Sequence, residues 1–265
     1  MSVTPSSLTK FTVIAAAVLA STNAHAVLVD FNDSSDFADN FRIFANASVS
    51  TVQDGSALKV TGLTSGGSSS IFFYDATPSD GLDTRSTFAL SVGQTLTVSV
   101  DVASITGGGS SLGFYFVNSA QALTSNAHNL ALLNFGNAGG ANELARFATY
   151  ASMSGQSLNA GTTGDGISLN DATFRKVTAT YTRVTGSTST MTLSVGSFSS
   201  TFTNTNFTSY SNVEVGLRLF PSPSNPANSY LIDNFTAAIP EPSTFSVVAG
   251  LGVMVLAATR RRRAA

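Results

Sequence analysis

The chain of 265 residues has no cysteine and no tryptophan, two histidines, and charged side chains at only 11% of positions. Without cysteine it can form no disulfide, no thiolate metal site and no cysteine nucleophile. That absence agrees better with bacterial export than with a small secreted scaffold dependent on disulfide staples. Of the two histidines, His25 lies near the N-terminus, so a Ser-His-Asp arrangement would have to use His128. No Gly-x-Ser-x-Gly elbow accompanies it. Glu143 and Glu214 are the only glutamates between the two ends, so aspartates would have to supply most of a glycosidase carboxylate pair. Zinc needs three or four His, Cys or carboxylate ligands, and one histidine is thin provision. Gly107-Gly108-Gly109 has no following Lys-Ser/Thr, which removes a phosphate loop. Together these shortages predict a protein that is not an enzyme.

Positive charge is scarce and segregated. Setting aside Lys10, Glu241 and Arg260 to Arg263, the 13 basic and 15 acidic residues fall to 8 and 14, a net charge of −6 for the middle of the chain. Phosphate binding needs clustered Lys and Arg, so nucleic acid is not an expected partner. The one basic cluster, Arg260-Arg261-Arg262-Arg263, instead follows an apolar segment.

The two ends carry the strongest patterns. Residues 1–26 place a cation, Lys10, before an apolar stretch from Phe11 to Ala20 and a polar region ending in Ala24-His25-Ala26. Small residues at Ala24 and Ala26 suit signal peptidase, which predicts a secretory signal cleaved after Ala26. In residues 239–265, Pro240-Glu241-Pro242 precedes an uncharged run from Phe245 to Ala258 and the four arginines. The prolines fix φ and deny helix continuation, so Glu241 is held in an extended, accessible turn. As a helix the 14-residue run would span about 21 Å at ~1.5 Å per residue, short of the roughly 30 Å hydrocarbon core. The arginines resist translocation and keep the far end cytoplasmic, which predicts one C-terminal transmembrane helix with the preceding domain outside.

Pro240-Glu241-Pro242-Ser243-Thr244, the apolar run with Gly250 and Gly252, and Arg260 to Arg263 closely resemble the PEP-CTERM sorting domain of Gram-negative bacteria. The resemblance implies that an exosortase, a membrane enzyme acting near the PEP motif, is the partner and this chain its substrate. It also implies a transient anchor in the inner membrane. After processing, the protein would reside in the envelope, at the surface or in an extracellular matrix that contains exopolysaccharide.

Between the ends, residues 27–238 read as β-strands. In QTLTVSVDVAS, Leu96, Val98, Val100 and Val102 alternate with Thr97, Ser99 and Asp101. FRKVTATYTRV sets Val177, Ala179 and Tyr181 against Lys176, Thr178, Thr180 and Thr182; STMTLSVG and VEVGLRLF continue the pattern. Shorter candidates are VLVDF, SIFFYD, LGFYFV, NLALLNF, ELARFATY and YLIDNFTA, separated by turn-rich stretches. No sustained 3.6-residue period appears. The expectation is one all-β domain, an antiparallel β-sandwich of jelly-roll type, with its longest loops near 153–171 and 221–228.

VLVDFND, YLIDNF and FRKVTATYTRVTGSTSTMTLSV resemble strands of galactose-binding-like and concanavalin-like jelly-roll carbohydrate-binding modules. That resemblance implies paired terminal strands with a calcium ion close by. Asp30, Asp33 and Asp233, with Asn32 and Asn234, are the candidate calcium ligands, since calcium takes six to eight oxygens. The competing reading is that these residues end strands and form Asx turns. Asp75, Asp80 and Asp83 offer a second oxygen-rich stretch, but the reading to prefer is a solvated acidic loop. Tyr74 and Tyr115 are candidate sugar-stacking rings if they face outward, and core residues if they do not. Two functional readings stay open: a non-catalytic envelope or matrix protein that binds polysaccharide, and a structural surface protein without a sugar ligand. A secreted hydrolase is the third.

Overall fold

The alternating segments become strands because branched and aromatic residues on one face of a pleat bury well while threonines on the other stay wet. The computed structural model describes residues 26–45, 49–62, 70–75, 86–103, 110–118, 128–134, 144–150, 156–163, 173–204, 209–220 and 229–240. The elements in chain order are β1 (Ala26–Val29), α1 (Asp36–Asn40), β2 (Phe41–Ala45), β3 (Val49–Asp54), β4 (Ala57–Gly62) and β5 (Ser70–Tyr74). There follow β6 (Thr87–Ala89), β7 (Thr95–Ala103), β8 (Ser111–Asn118), β9 (His128–Asn134), β10 (Leu144–Tyr150) and β11 (Gln156–Thr163). The last five are β12 (Arg175–Arg183), β13 (Ser189–Val195), β14 (Phe198–Asn204), β15 (Asn212–Phe220) and β16 (Ser229–Ala238).

Two eight-stranded antiparallel sheets result. Sheet A runs β14-β13-β12-β7-β16-β4-β3, with β1 also paired to β16; sheet B runs β11-β10-β9-β8-β15-β5-β2, with β6 also paired to β15. The non-consecutive order means that the chain crosses between sheets repeatedly, as a jelly-roll sandwich requires. The terminal strands do pair, Val27 opposite Ala237 and Val29 opposite Phe235. β1 begins at Ala26, one residue before the expected mature N-terminus.

The inward residues are those the alternation marks. Leu96, Val98, Val100 and Val102 of β7 are fully buried, as are Val177, Ala179 and Tyr181 of β12 and Val213, Val215, Leu217 and Leu219 of β15. Rings bridge the two sheets: Phe116 stacks on Tyr181 at 5.5 Å, and Phe147 on Phe202 at 5.9 Å. Two inward tyrosines keep their hydroxyls satisfied. Tyr181 Oη accepts from the Tyr210 amide at 2.9 Å. Tyr230 Oη accepts from the Phe220 amide at 3.2 Å and donates to the Ser111 carbonyl at 3.4 Å. Burial pushes both phenols upward in pKa.

Two expectations need correction. Residues 156–163 lie inside the stretch expected to be a long loop, yet they form β11 and pair with β10. A short helix, α1, also appears between β1 and β2. Its five residues are too few to show a helical period.

Candidate functional site

Three places in the described residues concentrate polar or unusual chemistry. The first is the junction of the terminal strands. β16 carries a bulge between Asp233 and Thr236 in its pairing with β7. Asn234 sits there with φ 50°, and Phe31, just after β1, has φ 49°. Left-handed backbone at a non-glycine residue costs about 1–2 kcal/mol. Phe31 is held by full burial and by ring contacts with Phe37 and Phe41 at 6.0 and 6.1 Å. The bulge swings the Asn234 amide onto Asp101 Oδ2 at 3.0 Å and Asp233 Oδ2 at 3.2 Å. Asn32 Nδ2 donates to Asp30 Oδ2 at 2.7 Å. Burial holds the Asp233 carboxyl above its ordinary range against the hydrogen bond from the Asn234 amide; the charges of Asp101 and Asp30 add to the rise.

The structure does not gather the three expected calcium ligands into one group. Asp30 and Asp233 do lie within electrostatic reach of each other, but Asp33 is engaged elsewhere. Its Oδ1 accepts from the Ser35 amide at 3.1 Å, while its own amide donates to Asp36 Oδ2 at 2.8 Å. That Asx turn starts α1 and lowers the Asp33 carboxyl pKa. Short-range hydrogen bonds thus claim the residue that the third ligand position needed. Asp101, the seventh residue of β7, takes the place beside Asp233. Among the described residues no group of three carboxylate or imidazole side chains is arranged to hold a metal ion. The carboxylates here are served by amide donors.

The second place is the outward face of sheet B. Ile71, Phe73, Tyr115, Val117, Leu130 and Leu132 form a cluster separate from the main core, each no more than 7% exposed. Gly216 and Gly113 make room for it: a Cβ on Gly216 would lie 2.8 Å from Phe73 Cε1 and 3.0 Å from the Phe72 carbonyl oxygen. Tyr115 is therefore no exposed platform. Tyr74 is not one either, since it packs in the main core 5.8 Å from Phe235. Asp75, only 1% exposed, accepts from the half-buried Arg42 Nε at 2.5 Å, so it is a paired, buried carboxylate rather than a solvated loop one. Asp80 and Asp83 lie outside the described residues.

The third place is the outward face of sheet A, where registers align hydroxyls across strands. Thr95, Thr182, Thr190 and Thr203 form one row across β7, β12, β13 and β14. Thr97, Thr180, Thr192 and Thr201 form the next, and Ser99, Thr178, Ser194 and Ser199 the third. Neighbouring hydroxyls bond to one another, Thr95 to Thr182 at 2.8 Å and Thr192 to Thr201 at 3.0 Å. Ser99 is joined to Thr236 of β16 at 2.7 Å. Each strand showed polar residues on this face, but lateral alignment is a property of register and is not visible in any single segment.

At the end of the sandwich, Ile239 is the last buried residue among those described, and Pro240 is exposed. Ala26–Ile239 form a compact unit. Ala24, Glu241, Pro242 and Arg260 to Arg263 lie outside the described residues, as do the apolar run 245–258 and most of the expected signal segment. Among the described residues no helix is long and apolar enough to cross a membrane.

Residues 238–263 match the family model of the PEP-CTERM protein-sorting motif, and the chain carries that motif at the place where Pro240-Glu241-Pro242 and the arginines stand. No curated protein matches the sequence. Solved structures similar to this one include the alginate lyase Aly36B, at 15% identity and TM-score 0.52, covering 80% of this chain and 96% of that one. A legume lectin-like domain from Entamoeba histolytica is similar at 9% identity and TM-score 0.49, covering 79% and 94%. Winged bean acidic lectin, complexed with methyl-α-D-galactose, is similar at 12% identity and TM-score 0.48, covering 83% and 100%. At such identities the likeness to the lyase concerns the fold alone.

Proposed function

We propose that this chain is exported, held for a time in the inner membrane by its tail, and processed by an exosortase-type enzyme into a non-catalytic envelope or matrix protein that binds polysaccharide. The observation that carries the sorting part is the PEP-CTERM motif at residues 238–263. Its position against the fold supports the reading. β16 ends at Ala238, and proline at 240 has no N–H with which to extend the ladder. A cut at or beyond Pro240 therefore removes no strand of the sandwich. Cleavage after Ala26 at the other end would remove one residue of β1 and leave Val27, Leu28 and Val29 paired with β16. In this proposal the run 245–258 acts as the anchor and Arg260 to Arg263 hold its end in the cytoplasm.

The polysaccharide part draws support from the sandwich fold, from the polar, weakly charged outward face of sheet A, and from the fold shared with an alginate lyase. A second reading, polysaccharide cleavage, takes its support from that same neighbour. Mass spectrometry of the protein isolated from its native host tests the sorting proposal. The expected product begins near Val27, ends near the Pro-Glu-Pro turn, and lies outside the cytoplasm. A full-length cytosolic chain with both ends intact overturns it. Incubation with polysaccharides separates binding from cleavage: retention without new chain ends supports the non-catalytic reading, and shortened polymer supports the second.

A further inference from the structure

We infer that the outward face of sheet A is a binding surface for a neutral, extended polysaccharide; this deepens the polysaccharide reading and rests on it. The twelve positions where β7, β12, β13 and β14 cross three rows are occupied by nine threonines and three serines, without exception. None of the twelve is ionisable or aromatic. All reach solvent at least in part except Ser99, which is 3% exposed.

The geometry makes these hydroxyls a lattice. Strands lie about 4.7–4.9 Å apart, and same-face residues repeat at roughly 6.6–6.8 Å along each strand. Cross-strand hydroxyl bonds, such as Thr192 to Thr201 at 3.0 Å, restrict the rotors. A hydroxyl has one donor and two acceptor sites, so a bonded pair retains capacity for a ligand. A rigid array with repeating donors, acceptors and methyl groups suits a ligand that is itself periodic and rich in hydroxyls.

Charge and composition exclude the other partners. The first ionisable residues on this face stand in the next row, where Asp101 opposes Lys176 on one side and Asp233 on the other. A uronate polymer would find one cation there beside two carboxylates. Nucleic acid would find no cluster of Lys and Arg. A tight protein interface centres on Trp, Tyr, Arg or a buried apolar anchor, and the grid has none. A neutral polymer needs only many weak, equivalent hydrogen bonds.

The test uses the full chain in a non-glycosidic detergent, with cellulose and a neutral β-1,3-glucan as neutral probes and alginate as the acidic one, at low and high salt. The variant Thr97→Val/Thr180→Val/Thr192→Val removes three of the four hydroxyls of the central row while keeping β-branched shape. Its partner Thr97→Ser/Thr180→Ser/Thr192→Ser keeps the hydroxyls. Expected is salt-insensitive retention on a neutral polymer, an association constant lower by at least about tenfold in the valine variant, and retention preserved in the serine variant. Equal retention by the valine variant overturns the assignment of this face while leaving polysaccharide binding in place. Retention on alginate alone overturns the neutral class in the same way. No retention on any polymer overturns both readings. A wild-type dimer that the valine variant dissolves, seen by light scattering, assigns the face to a second copy and overturns the inference.

Discussion

The two sheets present opposite chemistry on their outward faces. On sheet A three rows of outward positions across four strands are threonine and serine, and replacing one should leave the fold almost untouched. On sheet B the outward positions of β5, β8 and β9 are Ile71, Phe73, Tyr115, Val117, Leu130 and Leu132, buried almost as deeply as the main core. Glycines at 113 and 216 keep space for those side chains. Facing outward is thus no guide to energetic weight in this molecule. Sheet B carries buried apolar side chains on both faces of β5, β8 and β9, whereas sheet A is apolar inside and wet outside.

Substitutions at matched outward positions sharpen that contrast. The largest effect belongs to Phe73→Ala, which empties a buried aromatic site and should lower stability by about 3–5 kcal/mol. Chemical denaturation measures it, and a loss below that of an ordinary surface change would mean the cluster is not a packed layer. Next is Gly216→Val. Its new methyl groups meet the Phe73 ring and the Phe72 carbonyl, for an expected loss of about 1–3 kcal/mol by the same measurement.

Asp233→Asn should act in the opposite direction and more weakly. The Asp233 carboxyl has a folded pKa raised above its ordinary 3.8. Its ionisation therefore opposes folding: the stability held at low pH is lost as pH rises through the folded value. The asparagine variant should melt about 1–2 °C higher than wild type at neutral pH. The gain should vanish below the ordinary carboxylate pKa. Thermal melts across acid and neutral pH check this, and a variant less stable at neutral pH contradicts it. Smallest of all is Thr192→Val on the outward face of sheet A, expected within about 0.5 kcal/mol of wild type. A loss comparable to that of Gly216→Val would show that the hydroxyl rows are structural, and the contrast between the faces would disappear.

Legibility in the sequence followed the same division. β7, β12, β13 and β15 were readable because one side of each alternates apolar against polar or small residues, and their inward residues are all buried. β8 is apolar nearly throughout, with seven of its eight residues buried. Its run therefore announced a strand but not that both of its faces would be buried. β11 went unseen because it pairs with β10 alone, at the sheet edge. An edge strand needs no apolar stripe to exist. Of the proposed calcium ligands, Asp30 and Asp233 came near each other, but Asp33 went to the Asx turn that starts α1. A choice between local and long-range partners for one carboxylate cannot be read from spacing.

What the sequence determined alone is the sorting segment and the strand faces. A proline-flanked glutamate, an apolar run and four arginines are a linear signal, and period-two alternation is a local property of a pleated chain. Tertiary structure alone decided that the outward face of sheet B is buried and that hydroxyls on four separate strands fall into rows. Those outcomes depend on register between segments up to about a hundred residues apart, which hydrogen bonding between strands sets and no single segment encodes.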